Sequence, residues 1–445
     1  MKQISRARFD AYAGFSRQPE AVLLIRELAW FESDSGAVLA ALCLDTDEEY
    51  SGALFARDLM GRFRWVKQTS YYADATGAIA AIGPLMGQVE SYLELERVQG
   101  DETNPVDFFT PVVKEKRFHE SFRYLAFGDR FSPARELITL MMRWYENQDG
   151  NYVEQFQTTG FDARVWELYL FATLVERGYA VSQPDPAPDF LARGLDGQFY
   201  LEATTINPSV VNGQPFPSQK PRTEAALADY VENYLPVRFA GPLTAKLMKR
   251  YWEHPGVSGT PLVLAIQDFH DEMSMTYSGV SLPRYLYGLA FDEESTESGV
   301  TVAPRTITHH RWKGKEIESC FFDQAGAEHI SAVVFNGSGT LAKFNRMGVK
   351  VGLGAPTVTL VHTGIRLSSN GNPTGATFES RVTEGYEESW IDGMNVYHNP
   401  NALCPLDPGL LPGAAHHHRS RAGIESSIPH GHLISSRTAV VARSY

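Results

Sequence analysis

At 445 residues, with 43% hydrophobic and 12% aromatic side chains, the chain has material for about three domains with sizeable cores. Its formal charge of −13 excludes a general polyanion coat, because phosphate binding relies on clustered Lys and Arg, so any nucleic-acid site must be a local basic groove. No stretch reaches the roughly 18 uninterrupted apolar residues of a membrane span, and the start MKQISRARFDAYAGF lacks an apolar h-region, which points to the cytoplasm and to no membrane partner.

Residues 1–150 read as a mixed α/β unit. VLAALCLDT (38–46) and SGALFARDL (51–59) form a candidate strand pair, SFRYLAFG follows a Pro-containing loop, and ARELITLMMRWYE (134–146) has helical periodicity ending at the turn NQDGN. Asp45 and Asp47 at a strand end suit a turn better than a metal. Cys43, Cys320 and Cys404 are odd in number and lack CxxC spacing, so they read as small hydrophobes rather than as a disulfide framework or zinc knuckle.

From 151 to 365 the order is helix (161–177), strand, turn, strand, a polar loop with prolines (208–222), two helical patterns, and the apolar strand PLVLAIQDF (261–269). A second apolar strand, HISAVVFN (329–336), follows an insertion around 272–328. That order predicts an α/β fold with a mixed central sheet flanked by helices. Residues 366–445, rich in Gly, Pro, Asn, Ser and His, are expected to be a loop-rich extension packed on the core or partly disordered.

In FDARVWELYLFATLVERG, Glu167 shares a helical face with Ala163, Leu170, Phe171 and Leu174, an apolar setting in which a carboxylate needs a cation or donors. Either a functional partner is supplied from elsewhere in the fold, or the acid makes a structural salt bridge to an arginine. QFYLEATTI alternates as a strand, with Tyr200, Glu202 and Thr204 on one face. Asp189 stands where an antiparallel neighbour begins, so a hairpin can bring it to Glu202. Two carboxylates held together repel unless a proton or divalent cation intervenes, and oxygen ligands in a partly hydrated site favour Mg²⁺ or Mn²⁺.

A helix glutamate in WELYLFATLVERGY, then PDF, a short hairpin and a strand ending (D/E)-x-(K or a substitute) resembles the PD-(D/E)XK nuclease superfamily, with a restriction-endonuclease-like fold. The resemblance spans roughly 151–340, less the insertion. It implies Glu167 as the helix acid, Asp189 and Glu202 as the motif acids, and the Ala203 carbonyl as an extra metal ligand. Thr204 stands where the family has lysine, and a hydroxyl cannot carry that positive charge. GPLTAKLMKRYW, read as a helix starting near Pro242, offers Lys246 as a migrated lysine and Lys249 second, with Arg250 beside them, against the alternative that these cations contact phosphate or are merely solvated.

Gln155 and Gln157 precede the helix and are weaker candidates for substrate contact, since polar residues there usually serve turns. The basic stretch RTITHHRWKGK (305–315), with His309 and His310, reads as a backbone-contacting groove or a solvated face. His416, His417, His418, His430 and His432 read as a surface loop or a transition-metal cluster. The leading expectation is a Mg²⁺- or Mn²⁺-dependent nuclease, on DNA before RNA, in bacterial defence or mobile-element biology as the resemblance implies. Its rival is an inactive nuclease fold that binds nucleic acid or protein; a third reading gives the work to the N-terminal unit, and a homo-oligomer or protein partner stays open.

Overall fold

The computed structural model describes residues 1–100, 106–145, 150–184, 188–211, 214–216, 221–271, 274–296, 299–367 and 375–442. The class is mixed α/β, with several sheets and flanking helices. Near the N-terminus, strands Lys2–Ile4, Ile25–Glu32, Val38–Asp45, Tyr50–Arg57 and Phe63–Gln68 form an antiparallel five-stranded sheet in chain order. Strand alternation sends Val38, Ala40, Leu42, Leu54 and Ala56 against the helix Ala75–Ser91, while Leu39, Ala41 and Cys43 meet Phe9 and Ala13 on the other face. Gly52 is required here, because a Cβ at that position would lie 2.3 Å from Ile82 of the overlying helix.

Among the described residues the central sheet has eight strands. From one edge they run Gly423–Ser427, Ala415–Ser420, Asn395–His398, Ala332–Phe335, Leu262–Asp268, Gly197–Ile206, Phe190–Gly194 and Ala180–Ser182. The inner strands Gly197–Ile206, Leu262–Asp268 and Ala332–Phe335 are mutually parallel, and antiparallel strands flank them on both sides. Leu262–Asp268 is buried throughout, as expected of a parallel strand covered on both faces.

One face of this sheet, carrying Phe199, Leu201, Ala203, Val263 and Ala265, packs on the helix Phe161–Glu176. The Trp166 indole N–H pins that helix by donating to the Ala265 carbonyl at 3.1 Å. Phe108, Phe122 and Met141, from before residue 150, pack into the same core. The opposite face, with Tyr200, Leu262, Leu264 and Ile266, packs on the helices Leu235–Leu247 and Ser274–Tyr287.

The expectation of a loop-dominated stretch after 366 is corrected. Asn395–His398, Ala415–Ser420 and Gly423–Ser427 are strands of the central sheet, and Ala376–Val382 and Leu433–Ala442 flank Val358–Arg366 in a three-stranded antiparallel sheet. Short strands separated by Gly and Pro turns gave that stretch its loop-like composition. It is fixed by a buried ion cluster: Glu388 accepts from Arg346 Nε at 2.8 Å and Nη2 at 2.7 Å, Lys343 Nζ lies 2.8 Å from it, and Arg346 reaches Thr438 Oγ1 at 2.6 Å. Parts of the loop 208–222 and of the insertion 272–328 lie outside the described residues.

Candidate active site

The strands Phe190–Gly194 and Gly197–Ile206 form a tight hairpin in which Phe190 faces Leu201, so Glu202 and Ala203 continue past the end of the shorter strand. Side chains take over the ladder there. The Asp189 N–H donates to Glu202 Oε2 at 3.0 Å, and the Ala203 N–H donates to Asp189 Oδ2 at 2.7 Å. Because N–H and C=O of one strand residue point the same way, the Ala203 carbonyl also faces the Asp189 side.

The other Glu202 oxygen accepts from Lys246 Nζ and from the Tyr251 hydroxyl. Lys246 occupies the last turn of Leu235–Leu247, where the helix dipole favours a cation. The start of this helix differs from the sequence reading: Pro242 lies inside it, and Pro236 occupies the first turn. An interior proline forfeits one backbone hydrogen bond, but Leu243 and Leu247 anchor the segment in the core beyond it. Thr204, half-buried, shares the face of Glu202 two residues on and pairs with Ile266.

Glu167 approaches from the helix on the other face of the sheet. It is 8% exposed, and its carboxylate accepts from Arg164 Nη1 at 2.9 and 2.7 Å and from the Tyr145 hydroxyl at 3.2 Å. The cation thus comes from one turn back on the same helix, not from elsewhere in the fold. Arg164 at i−3 was the sequence signal for it. Gln155 Oε1 in turn accepts from Arg164 Nε at 3.0 Å, and the guanidinium lies 4.5 Å from the Tyr152 ring centre.

Asp189 feels the charge of both other acids. Burial pushes the Asp189 carboxyl well above its ordinary range, and the charges of Glu202 and Glu167 push it further, while Lys246 and the Ala203 N–H oppose the shift. Burial also raises Glu167, with Arg164, Tyr145 and Lys246 offsetting part of that cost. Tyr251 is held protonated by burial and by Glu202, so it serves as a donor. Asp189 Oδ1 receives no hydrogen bond among the described residues.

Among the described residues, no three His, Cys, Asp or Glu side chains stand close enough to hold a metal ion together. The donor set that does fit a hard cation is smaller: the Asp189 carboxylate, with one oxygen free and two acids repelling it, and the Ala203 carbonyl beside it. Mg²⁺ keeps several waters and accepts such a sparse protein shell.

Other candidates lie elsewhere. Gln157 is corrected from a substrate contact to a buried strut, donating to the carbonyls of Phe108 at 3.0 Å and Thr110 at 2.7 Å and accepting from the Val112 N–H at 2.9 Å. Lys249 is exposed with its ammonium 5.7 Å from the Tyr251 ring centre, and Arg250, in left-handed backbone at φ 51°, pairs with Glu253 at 2.7 Å. Asp45 accepts from the N–H groups of Asp47 and Glu49, which makes it a turn residue. His310 is buried between the Glu232 carbonyl and Ser319, whereas His309 is exposed beside Thr308.

Of the histidines after 366, His416, His417 and His418 lie on a strand and His432 is buried, while His430 sits in an exposed turn. His416 is buried on a central-sheet strand, where its Nδ1 shares a 2.9 Å hydrogen bond with His398 Nε2, and burial lowers the pKa of His398, His416, His417 and His432. They are therefore neutral packing groups. Among the described residues, no helix is long and apolar enough to cross a membrane. Set against protein-family models, curated proteins and solved structures, the chain matches none of them.

Proposed function

We propose that the chain is a metal-dependent nuclease that hydrolyses phosphodiester bonds, on DNA in preference to RNA, with a restriction-endonuclease-like core. The observation that carries this reading is the joining of Asp189, Glu202 and Lys246 at the end of one hairpin, with Glu167 on the other face of the sheet held by Arg164 and Tyr145. Buried charges cost stability unless they are paired, so a carboxylate left as poorly compensated as Asp189 is suited to chemistry rather than to folding.

In this reading Asp189 and the Ala203 carbonyl would hold Mg²⁺ or Mn²⁺, with Glu202 and Glu167 acting through water. The ion supplies Lewis acidity and a more acidic bound water. A water oxygen would form the new bond to phosphorus as the opposite P–O ester bond breaks; the water would give up its proton to solvent and the leaving oxygen would take one from solvent. Lys246 reaches this site from the helix and supplies the positive charge that Thr204 lacks, orienting water and offsetting charge on the phosphate.

A second reading, a nuclease fold retained only for binding nucleic acid or protein, draws support from Glu202, whose oxygens are both satisfied within the chain. Incubation of plasmid, linear and single-stranded DNA with Mg²⁺, with Mn²⁺ and with EDTA separates the two. Cleavage that EDTA abolishes is expected, and inertness with every metal and substrate leaves the binding module.

A further inference from the structure

A cavity of about 520 Å³ opens beside the acids, between the end of the Glu202 strand at Thr205 to Asn207, the helical run from Tyr230 to Pro242, and the tip of the hairpin His309–Trp312 and Lys315–Glu318. Thr205 is three residues beyond Glu202, about 10 Å along a strand, and Gly241 is five before Lys246, about 7 Å along a helix. The cavity is thus a neighbour of the proposed scissile position.

Its walls are aromatic and its rim is basic. Tyr234 and Trp312 lie with ring centres 5.0 Å apart at 57°, and Tyr230 packs 4.9 Å from Tyr234. This wall is rigid: Tyr230 shares a 2.8 Å hydrogen bond with His270 Nε2, His270 Nδ1 lies 2.5 Å from the fully buried Asp268, and Ser278 donates to that acid at 2.6 Å. Arg238 is oriented into the lining by Ser209 Oγ at 2.7 Å and the Asn207 carbonyl, and its buried Nε has no partner among the described residues. Lys313 and Gly314 form the hairpin tip with φ 45° and 82°, the mirror-image turn that a two-residue connection demands. That turn sets Lys313 and Lys315 at the mouth, and neither has an acidic partner among the described residues.

None of the described residues lining this cavity is acidic, in a chain with 53 acids against 40 bases. We propose that it receives one unpaired nucleobase of a single strand, stacked against Tyr234 and Trp312, with the flanking phosphates met by Arg238, Lys313 and Lys315. Stacking on aromatic rings tolerates every base, and cations along the groove track the backbone. A paired base within a duplex cannot lie against these rings without leaving its own stack. The inference rests on the nuclease reading and narrows its substrate to single strands, frayed ends or flipped positions.

The test measures equilibrium binding in EDTA, so that it does not depend on cleavage, with three fluorescent probes: a single-stranded oligonucleotide, the same sequence as a duplex, and the same length of abasic strand. The wild type is expected to bind the single strand more tightly than the other two. Trp312→Ala should weaken single-strand binding roughly tenfold, as loss of one stacking platform does, and leave abasic-strand binding nearly unchanged. Lys313→Ala with Lys315→Ala should weaken all three and flatten the salt dependence. These hairpin positions are half-buried or exposed, and thermal melts monitor their fold. Equal binding of the single and abasic strands, no binding of any probe, or a folded Trp312→Ala that binds as the wild type does would overturn the proposal. Base-dependent binding without cleavage under any metal would keep the pocket and remove the nuclease.

Discussion

The backbone N–H of Asp189 donates to the Glu202 carboxylate at 3.0 Å exactly where the shorter hairpin strand stops, so each residue depends on the other for its place. The two acids are held side by side by a bond that does not neutralise either charge. Repulsion between them is consequently built into the native state and is relieved by a proton or a cation.

That repulsion sets a metal response. Mg²⁺ or Mn²⁺ binding only to the native state should raise the melting temperature in a concentration-dependent way. Glu202→Gln should remove the increment, and a calorimetric scan with and without metal reads it. An equal metal shift in the variant would place the ion elsewhere.

The pH dependence follows from Asp189 with the opposite sign to an ordinary salt-bridged acid. Its carboxyl is raised above the ordinary 3.8 by burial first and by Glu202 and Glu167 next. Between the unfolded and the folded pKa the native state holds a proton that the unfolded state has lost, so this residue's contribution to stability falls as pH rises through that window. Asp189→Asn should stabilise the metal-free protein at neutral pH and flatten the stability profile above about pH 4, the ordinary range of an unfolded Asp. Urea melts across the range measure it, and a steeper decline in the variant would contradict the assignment.

Lys246 and Lys249 separate catalysis from affinity. Lys246 bonds to Glu202 while Lys249 stays exposed. Lys246→Ala should lower cleavage by about 10² to 10³ with little loss of DNA binding, if the loss resembles that of one preorganised donor. Lys249→Ala should do the reverse and weaken binding through a lost phosphate contact. A fully active Lys246→Ala would end the migrated-lysine reading.

Glu388 behaves as a structural acid. It is fully buried, and Lys343 and Arg346 hold its carboxyl below the usual range against the cost of burial. Its stabilising effect is present above the unfolded carboxylate range near pH 4.5 and is lost as pH falls through the lowered folded pKa. Glu388→Gln should cost about 3–5 kcal/mol, since it leaves two buried cations short of a partner. Equilibrium unfolding at neutral pH checks this, and a variant as stable as the wild type would show that the cluster holds nothing together.

Much of the local structure was legible from the chain alone. Apolar composition specified the strand pair Val38–Asp45 and Tyr50–Arg57, alternation specified Gly197–Ile206, an unbroken apolar run specified Leu262–Asp268, and the helix around Glu167 followed from length and composition. The hairpin turn put Asp189 opposite Glu202, because strand register is fixed by a tight connection. The Arg164 partner of Glu167 was equally local, at a helical spacing of three. Long-range placement was not local. Only the packed structure decided that strands after residue 394 complete the central sheet, that Gln157 is a buried strut, that the Tyr251 hydroxyl reaches Glu202, and that a hairpin from the insertion closes an aromatic cavity beside the acids. Sequence determines which residues share a face of one element, since that depends on backbone period alone; which faces then meet depends on the burial and pairing of groups hundreds of residues apart, and only the tertiary fold settles it.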